Sequence, residues 1–157
     1  MTEHKLAFGM RLTVKLYLAS SLKNYELNSK LHRVLESKGI ECFLPQKDAL
    51  EESLRNSGNG NHETSSRVRN LNVEGIKRSD MVLAVAKHLG ADSAWECGFA
   101  TGLGKRLILI RSPDDRIEEV YMLFNSVDYL IEVPEYKIEE LRQALKSFDF
   151  EGASERK

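Results

Sequence analysis

Apolar positions along the chain change their period several times, and each change marks an element. Residues 14–19 (VKLYLA) form a short run with β-branched and aromatic members, which predicts a strand. After Ser20-Ser21, Leu27, Leu31, Val34 and Leu35 recur at helical spacing until Gly39, the residue type that ends a helix. Residues 40–44 (IECFL) read as a second strand, closed by Pro45. From Gln46 to Asn61 the composition turns polar, and its Gly, Asn and Ser density predicts a mobile loop or lid. A helix over about 64–78 follows, with Val68, Leu71, Val73 and Ile76 apolar and Thr64 or Ser65 as N-cap. Residues 81–86 (MVLAVA) are apolar at every position, the pattern of a parallel strand covered on both faces. A helix over 92–103, a strand over 106–111, a helix over 114–124, a strand over 127–133 and a helix over 135–148 complete the alternation.

Five strands interleaved with five helices predict one doubly wound α/β domain over 1–150. Its five-stranded parallel sheet is flavodoxin- or Rossmann-like, with helices on both faces, because parallel neighbours require right-handed helical crossovers. Residues 151–157 read as a frayed tail. Ligands of such sheets bind outside the carboxyl ends of the strands, where the strand order switches. The loops to watch are therefore 20–24, 46–62, 87–93 and 112–115.

Composition narrows the partner. The chain has 157 residues, one domain's worth, and 23 Lys+Arg against 24 Asp+Glu leave a net charge of −1. No bulk attraction to nucleic acid or to an anionic membrane follows, so a small molecule or another protein is expected. Two cysteines, Cys42 and Cys97, make neither a disulfide framework nor a metal cluster and fit a reduced, cytoplasmic setting. The N-terminal segment has mixed charge and no uninterrupted apolar core. With no apolar run of roughly 20 residues elsewhere, a soluble, unprocessed protein is expected. No GxGxxG or GxxxxGKS occurs, and GLGK at 102–105 falls at a helix end, where it reads as a C-cap rather than a phosphate cradle. His32, His62 and His88 lack the spacing of metal ligands and read as surface or loop residues. Asp48, Glu51 and Glu52 read as a solvated face.

Candidate chemistry concentrates in DSAWECGFATGLGKRLILI, residues 92–110. Glu96 is a lone acid among Trp95, Cys97, Phe99 and small residues. Placed in the first turns of a helix capped by Asp92 or Ser93, its charged form gains roughly 0.3–1 kcal/mol from the helix dipole. Small residues at 94, 97, 98, 100, 101 and 102 allow close packing on the sheet, and a rigid carboxylate in an apolar mouth suits covalent catalysis at an electrophilic carbon. S-A-W-E equally fits a capping box between Ser93 and Glu96, and Trp95 equally fits a core position.

KLYLASSL, FLPQ, NVEGIKRSDMVLAV and above all DSAWECGFATGLGKRLILI resemble the nucleoside 2-deoxyribosyltransferase family over roughly residues 15–110. The resemblance implies that Glu96 is the nucleophile that attacks C1′ of a 2′-deoxynucleoside, forming a glycosyl ester that a second base or water then resolves. It makes Tyr17 the phenol that orients this carboxylate, although a strand aromatic in the core is an equal reading. No cofactor and no metal are implied. Asn72 stands where the family often carries an acid that protonates the leaving base. Gly90, six residues before Glu96, stands where transferases place an Asp for the 5′-hydroxyl and 5′-monophosphate hydrolases a Ser. Asp92 and Ser93 lie two and three residues later as substitute substrate contacts. Ser20, Ser21 and Lys23 are candidates for a phosphate in the first loop, with Lys47 or Arg55 closing over it. Residues 120–129 resemble the part that reaches a neighbouring subunit's site, with Tyr121 and Asn125 as candidates, which implies a homo-oligomer, a dimer or larger. Asn72 and Gly90 also motivate a second reading, a non-catalytic nucleotide-binding or sensing module of the same fold.

Overall fold

Strands form where consecutive residues are apolar, and the resulting sheet is all parallel. The computed structural model describes residues 13–57 and 62–155. Its strands are β1 (Lys15–Ala19), β2 (Glu41–Phe43), β3 (Met81–Val85), β4 (Arg106–Arg111) and β5 (Tyr129–Glu132), in the order β2-β1-β3-β4-β5. The helices are α1 (Tyr25–Ser37), α2 (Glu52–Ser57), α3 (His62–Arg78), α4 (Ala91–Gly102), α5 (Tyr121–Phe124), α6 (Ile138–Ser147) and α7 (Phe150–Glu155).

Side chains alternate between two cores. Leu16, Leu18, Leu83, Val85, Ile108 and Ile110 face one side, where Leu31 and Leu35 of α1, Leu141 and Leu145 of α6 and Phe150 of α7 cover them. Tyr17, Ala19, Val82, Ala84, Leu107 and Leu109 face the other, under Ile76 of α3, Cys97 and Ala100 of α4 and Leu123 of α5. Burying each large aliphatic side chain contributes roughly 1.5–3 kcal/mol, and a slip of one residue would exchange the two faces, so the register is strongly specified. The chain leaves β2 at one edge and returns to β3 on the other side of β1. The order therefore reverses between β1 and β3, and the crevice at their carboxyl ends is the expected ligand position.

Several boundaries differ from the sequence reading. The polar stretch after Pro45 is helical: a π-helical turn over Gln46–Glu51 runs into α2. Asp48 accepts from Leu44 N–H at 2.7 Å, and Gln46, Ala49 and Ser53 are buried, so one buried face overrides a loop-like composition. Asp48 is thus a capping group rather than part of a solvated face, while Glu51 accepts from the Tyr25 hydroxyl and Glu52 pairs with Arg67. The helix expected over 114–124 is reduced to a 3-10 turn at Ile117–Glu119 and the single turn of α5, because only Ile117 and Leu123 bury. Glu135 and Tyr136 both adopt φ of 53°, which delays α6 to Ile138. The expected frayed tail folds as α7, which buries Phe150 and Ala153. His32 is buried rather than superficial, with its ring Nε2 3.1 Å from the Cys42 carbonyl oxygen. The expectations for the N-terminal segment, for the loop over 58–61 and for the His62 side chain fall outside the described residues. Among the described residues no helix is long and apolar enough to cross a membrane.

Candidate active site

β1 and α4 meet on the second face. Tyr17 is fully buried, and its hydroxyl donates to Glu96 Oε1 at 2.8 Å, joining residues 79 apart in the chain. Glu96 is 8% exposed and has no cationic partner among the described residues. Phe43, from β2, stacks on Tyr17 with ring centroids 5.4 Å apart and planes 10° from parallel, a contact worth roughly 0.5–1.5 kcal/mol beyond its burial. Behind Phe43 lies α3 at Gly75, where a Cβ would come within 2.9 Å of the ring. A glycine is required there so that α3 can press Phe43 against Tyr17.

The electrostatics of Glu96 depart from the helix-dipole expectation. The N-cap of α4 is Gly90, in extended backbone and without a side-chain cap bond, so Ser93 occupies the third helical position and Glu96 the sixth. That excludes a capping box between them and puts the carboxylate beyond the first turn, where the dipole acts. Burial dominates instead and pushes the carboxyl up to about 7; the Tyr17 hydrogen bond pulls it down, and Asp92, one turn earlier, adds a smaller push upward. Burial and the neighbouring carboxylate also raise the Tyr17 phenol, so the proton of the pair stays on the tyrosine. The result is a carboxylate that ionises near neutrality and is oriented by a phenol that does not.

The other candidates lie on several elements, and of them Asp92 acts electrostatically on Glu96. Asn72 projects from α3 one turn before Gly75 and Ile76, and its Oδ1 is buried without a hydrogen-bond partner. Asp92 is exposed and Ser93 buried on the first turn of α4. Ser20 and Ser21 lie at the carboxyl end of β1 without a hydrogen bond to Tyr17 or Glu96. Ser20 Oγ accepts from Asn24 Nδ2 at 3.0 Å, and Ser21 Oγ accepts from Lys23 N–H at 3.2 Å. Lys23, Lys47 and Arg55 are exposed. Tyr121, on α5, and Asn125, its C-cap, are both exposed. Trp95 is neither core nor buried: half-exposed, it stacks on Phe99 at 5.2 Å beside a groove of about 380 Å³ between α3 and α4. Among the described residues no group of three or more His, Cys, Asp or Glu side chains could hold a metal.

Sequence reasoning missed the amide network behind the first loop. Asn28 Nδ2 donates to Ser21 O and to Gln46 Oε1, each at 3.1 Å, and Gln46 Nε2 donates to Tyr25 O and Ser29 Oγ. Asn24 and Asn28, four apart where a helix begins, carried the available signal, since polar residues on the inward face of α1 must find partners.

An open parallel sheet with a strand-order reversal beside β1 and a buried phenol–carboxylate pair between β1 and α4 defines a doubly wound α/β protein of the kind that binds its ligands at that reversal. A model of the nucleoside 2-deoxyribosyltransferase family matches residues 16–150, and the chain belongs to that family. Among solved structures it is similar to a 2-deoxyribosyltransferase from the psychrotolerant bacterium Bacillus psychrosaccharolyticus, with TM-score 0.70, 25% identity, and coverage of 89% of this chain and 96% of that one. It shares its fold with a CMP N-glycosidase from Clostridium botulinum at TM-score 0.56 and 18% identity, covering 83% of this chain and 97% of that one. No curated protein sequence matches. Family membership and the first of these neighbours support a nucleoside deoxyribosyltransferase-like activity.

Proposed function

We propose that the protein cleaves the N-glycosidic bond of a nucleoside or its 5′-monophosphate, with Glu96 as nucleophile and Tyr17 as the residue that orients it. The observation that carries this reading is the 2.8 Å Tyr17–Glu96 bond in a buried setting without a cation. A carboxylate tied up in an ion pair would be a poor nucleophile; one held by a single phenol keeps an oxygen for attack. In the first step a Glu96 oxygen bonds to C1′ while the C1′–N bond breaks. Its electron pair leaves with the base, which takes a proton from water or solvent-exposed acid. In the second step a base nitrogen or water attacks C1′ and gives up its proton to solvent, while the C1′–O bond to Glu96 breaks and frees the carboxylate. Oxocarbenium character in both steps is stabilised by the anion, as in retaining glycosidases.

Asn72, Asp92, Ser93, Ser20 and Ser21 are the proposed substrate contacts. Asn72 supplies hydrogen bonds to a base edge but no acidic proton. Protein-only chemistry suffices, without a cofactor. α5 leaves Tyr121 74% and Met122 85% exposed, an apolar surface that suits a second copy of the chain, so the active form is proposed to be a homo-oligomer. The competing reading, a nucleotide sensor that binds without turnover, draws on Asn72 and Gly90.

Incubation with deoxyinosine plus adenine, and separately with deoxynucleoside 5′-monophosphates, is expected to give base exchange or free base. Intact-protein mass spectrometry is expected to trap a pentosyl adduct that Glu96→Ala abolishes. Binding without base release by the wild type would favour the sensor, and full activity of Glu96→Ala would overturn Glu96 as the nucleophile.

A further inference from the structure

Phe43 and Gly75 belong to the stretches FLPQ and NVEGIKRSDMVLAV, and the reaction above gives neither a part. The sheet register connects Phe43 to the buried pair. One transverse row runs Phe43, Tyr17, Val82, Leu107: Tyr17 is in register with Phe43 of β2 on one side and with Val82 of β3 on the other, and Val82 with Leu107 of β4. Residues in register point to the same face, here the face that α3 and α4 cover. Val82 and Leu107 are aliphatic, so Phe43 is the one flat neighbour that Tyr17 has in the row. Because β2 is an edge strand, Phe43 is also all that stands in that row between Tyr17 and the edge of the sheet.

The Phe43 ring is itself confined. It lies 5.4 Å from the Tyr17 ring, centroid to centroid, with planes 10° from parallel. A Cβ built on Gly75 would sit 2.9 Å from Phe43 Cδ1 and 3.0 Å from Cγ and Cε1, so the bare backbone of α3 already presses on the ring. Aromatic side chains turn about χ2 in a broad well, and packing rather than torsional preference therefore decides the plane of each ring. Phe43, held by α3, sets the plane of Tyr17. That plane has a chemical consequence. Conjugation of the phenolic oxygen with its ring keeps the O–H bond close to the ring plane, so the plane decides where the proton points. The Tyr17 proton points at Glu96 Oε1, 2.8 Å away, which leaves Oε2 as the oxygen for C1′.

We infer that Phe43 is a positioning residue for the glycosidic reaction: clamped between Tyr17 and the α3 backbone at Gly75, it fixes the plane from which the Tyr17 hydroxyl holds Glu96. This rests on the reading of Glu96 and Tyr17 given above. Phe43 acts through Tyr17 and not on the substrate, so its removal should slow the chemical step without weakening substrate binding. Its influence should also vanish once the Tyr17 hydroxyl is gone, because nothing is then left to aim.

The test measures kcat and KM for base release against pH in wild type, Phe43→Leu, Phe43→Tyr, Tyr17→Phe and the double variant Tyr17→Phe/Phe43→Leu, each first shown to be folded by circular dichroism. Phe43→Met replaces Phe43→Leu if the latter does not fold. Phe43→Leu is expected to lower kcat at pH 7 about two- to tenfold with KM unchanged, and to move the acidic limb of kcat/KM toward that of Tyr17→Phe. Phe43→Tyr, which keeps the stacked ring, should keep the wild-type limb. In the Tyr17→Phe background the same leucine substitution should cost nothing further. An unmoved limb in Phe43→Leu, or an equal loss with and without the Tyr17 hydroxyl, overturns the inference. If the wild type releases no base from any substrate, the reading of Glu96 fails, and a ¹³C NMR titration of the Glu96 carboxyl decides the role of Phe43 separately. A midpoint displaced in Phe43→Leu but not by the same substitution in Tyr17→Phe sustains it; one that Phe43→Leu leaves in place refutes it.

Discussion

Replacing Tyr17 by Phe removes one hydroxyl and leaves the stack on Phe43 in place, which makes it a clean probe of the buried pair. Hydrogen bonds to charged groups are worth about 1.5–3 kcal/mol, and 1.36 kcal/mol corresponds to one pKa unit. Glu96 starts at about 7 with the Tyr17 bond already holding it down. Losing that bond should raise it by about one to two units. At pH 7 the wild type has about half of its Glu96 ionised; the variant would have about one part in ten to one in a hundred. Because the nucleophile must be ionised, activity rises with pH through this range, and Tyr17→Phe should displace the acidic limb of kcat/KM toward higher pH. The loss at pH 7 should be about five- to fiftyfold and should shrink above pH 9. Base release followed by chromatography between pH 5 and 9.5 measures the limb, and a ¹³C NMR titration of the Glu96 carboxyl measures the same midpoint without turnover. A uniform loss at every pH with an unmoved midpoint would refute the claim that the phenol tunes the carboxylate.

Glu96 also links pH to stability. Its folded-state value is raised from 4.5 to about 7, so the unfolded chain ionises first and stability falls as pH rises between those values, by about 3 kcal/mol in all. Glu96→Gln should therefore raise the urea midpoint at pH 8 and change it little at pH 4. Gly75→Ala places a methyl against Phe43 and is expected to cost about 1–3 kcal/mol of unfolding free energy, read from a urea titration. Phe150→Ala empties the core under α7 at a cost of about 3–5 kcal/mol, which calorimetry would detect as a lowered Tm. Met122→Glu should shift the protein to a smaller species in size-exclusion chromatography with light scattering, while circular dichroism stays unchanged.

The sequence by itself determined the sheet, because strands covered on both faces must be apolar throughout, and MVLAV and RLILIR admit little else. It also singled out Glu96, since one acid among small and aromatic residues is conspicuous wherever it ends up. Tertiary structure decided what surrounds that acid. Whether a carboxylate is raised or lowered depends on burial and on a phenol 79 residues away, and no local pattern encodes either. The helix dipole expected from a cap at Asp92 or Ser93 failed for the same reason: Gly90 starts α4 early, and desolvation in the core outweighs a terminal dipole. Likewise Gln46–Ser57 is helical because Ala49 and Ser53 find a core to bury against, and Glu135 and Tyr136 are left-handed because Asp115 and Ser112 hold them there. Local propensity sets which elements the chain can form, and long-range packing sets where they stop and how their charged groups behave.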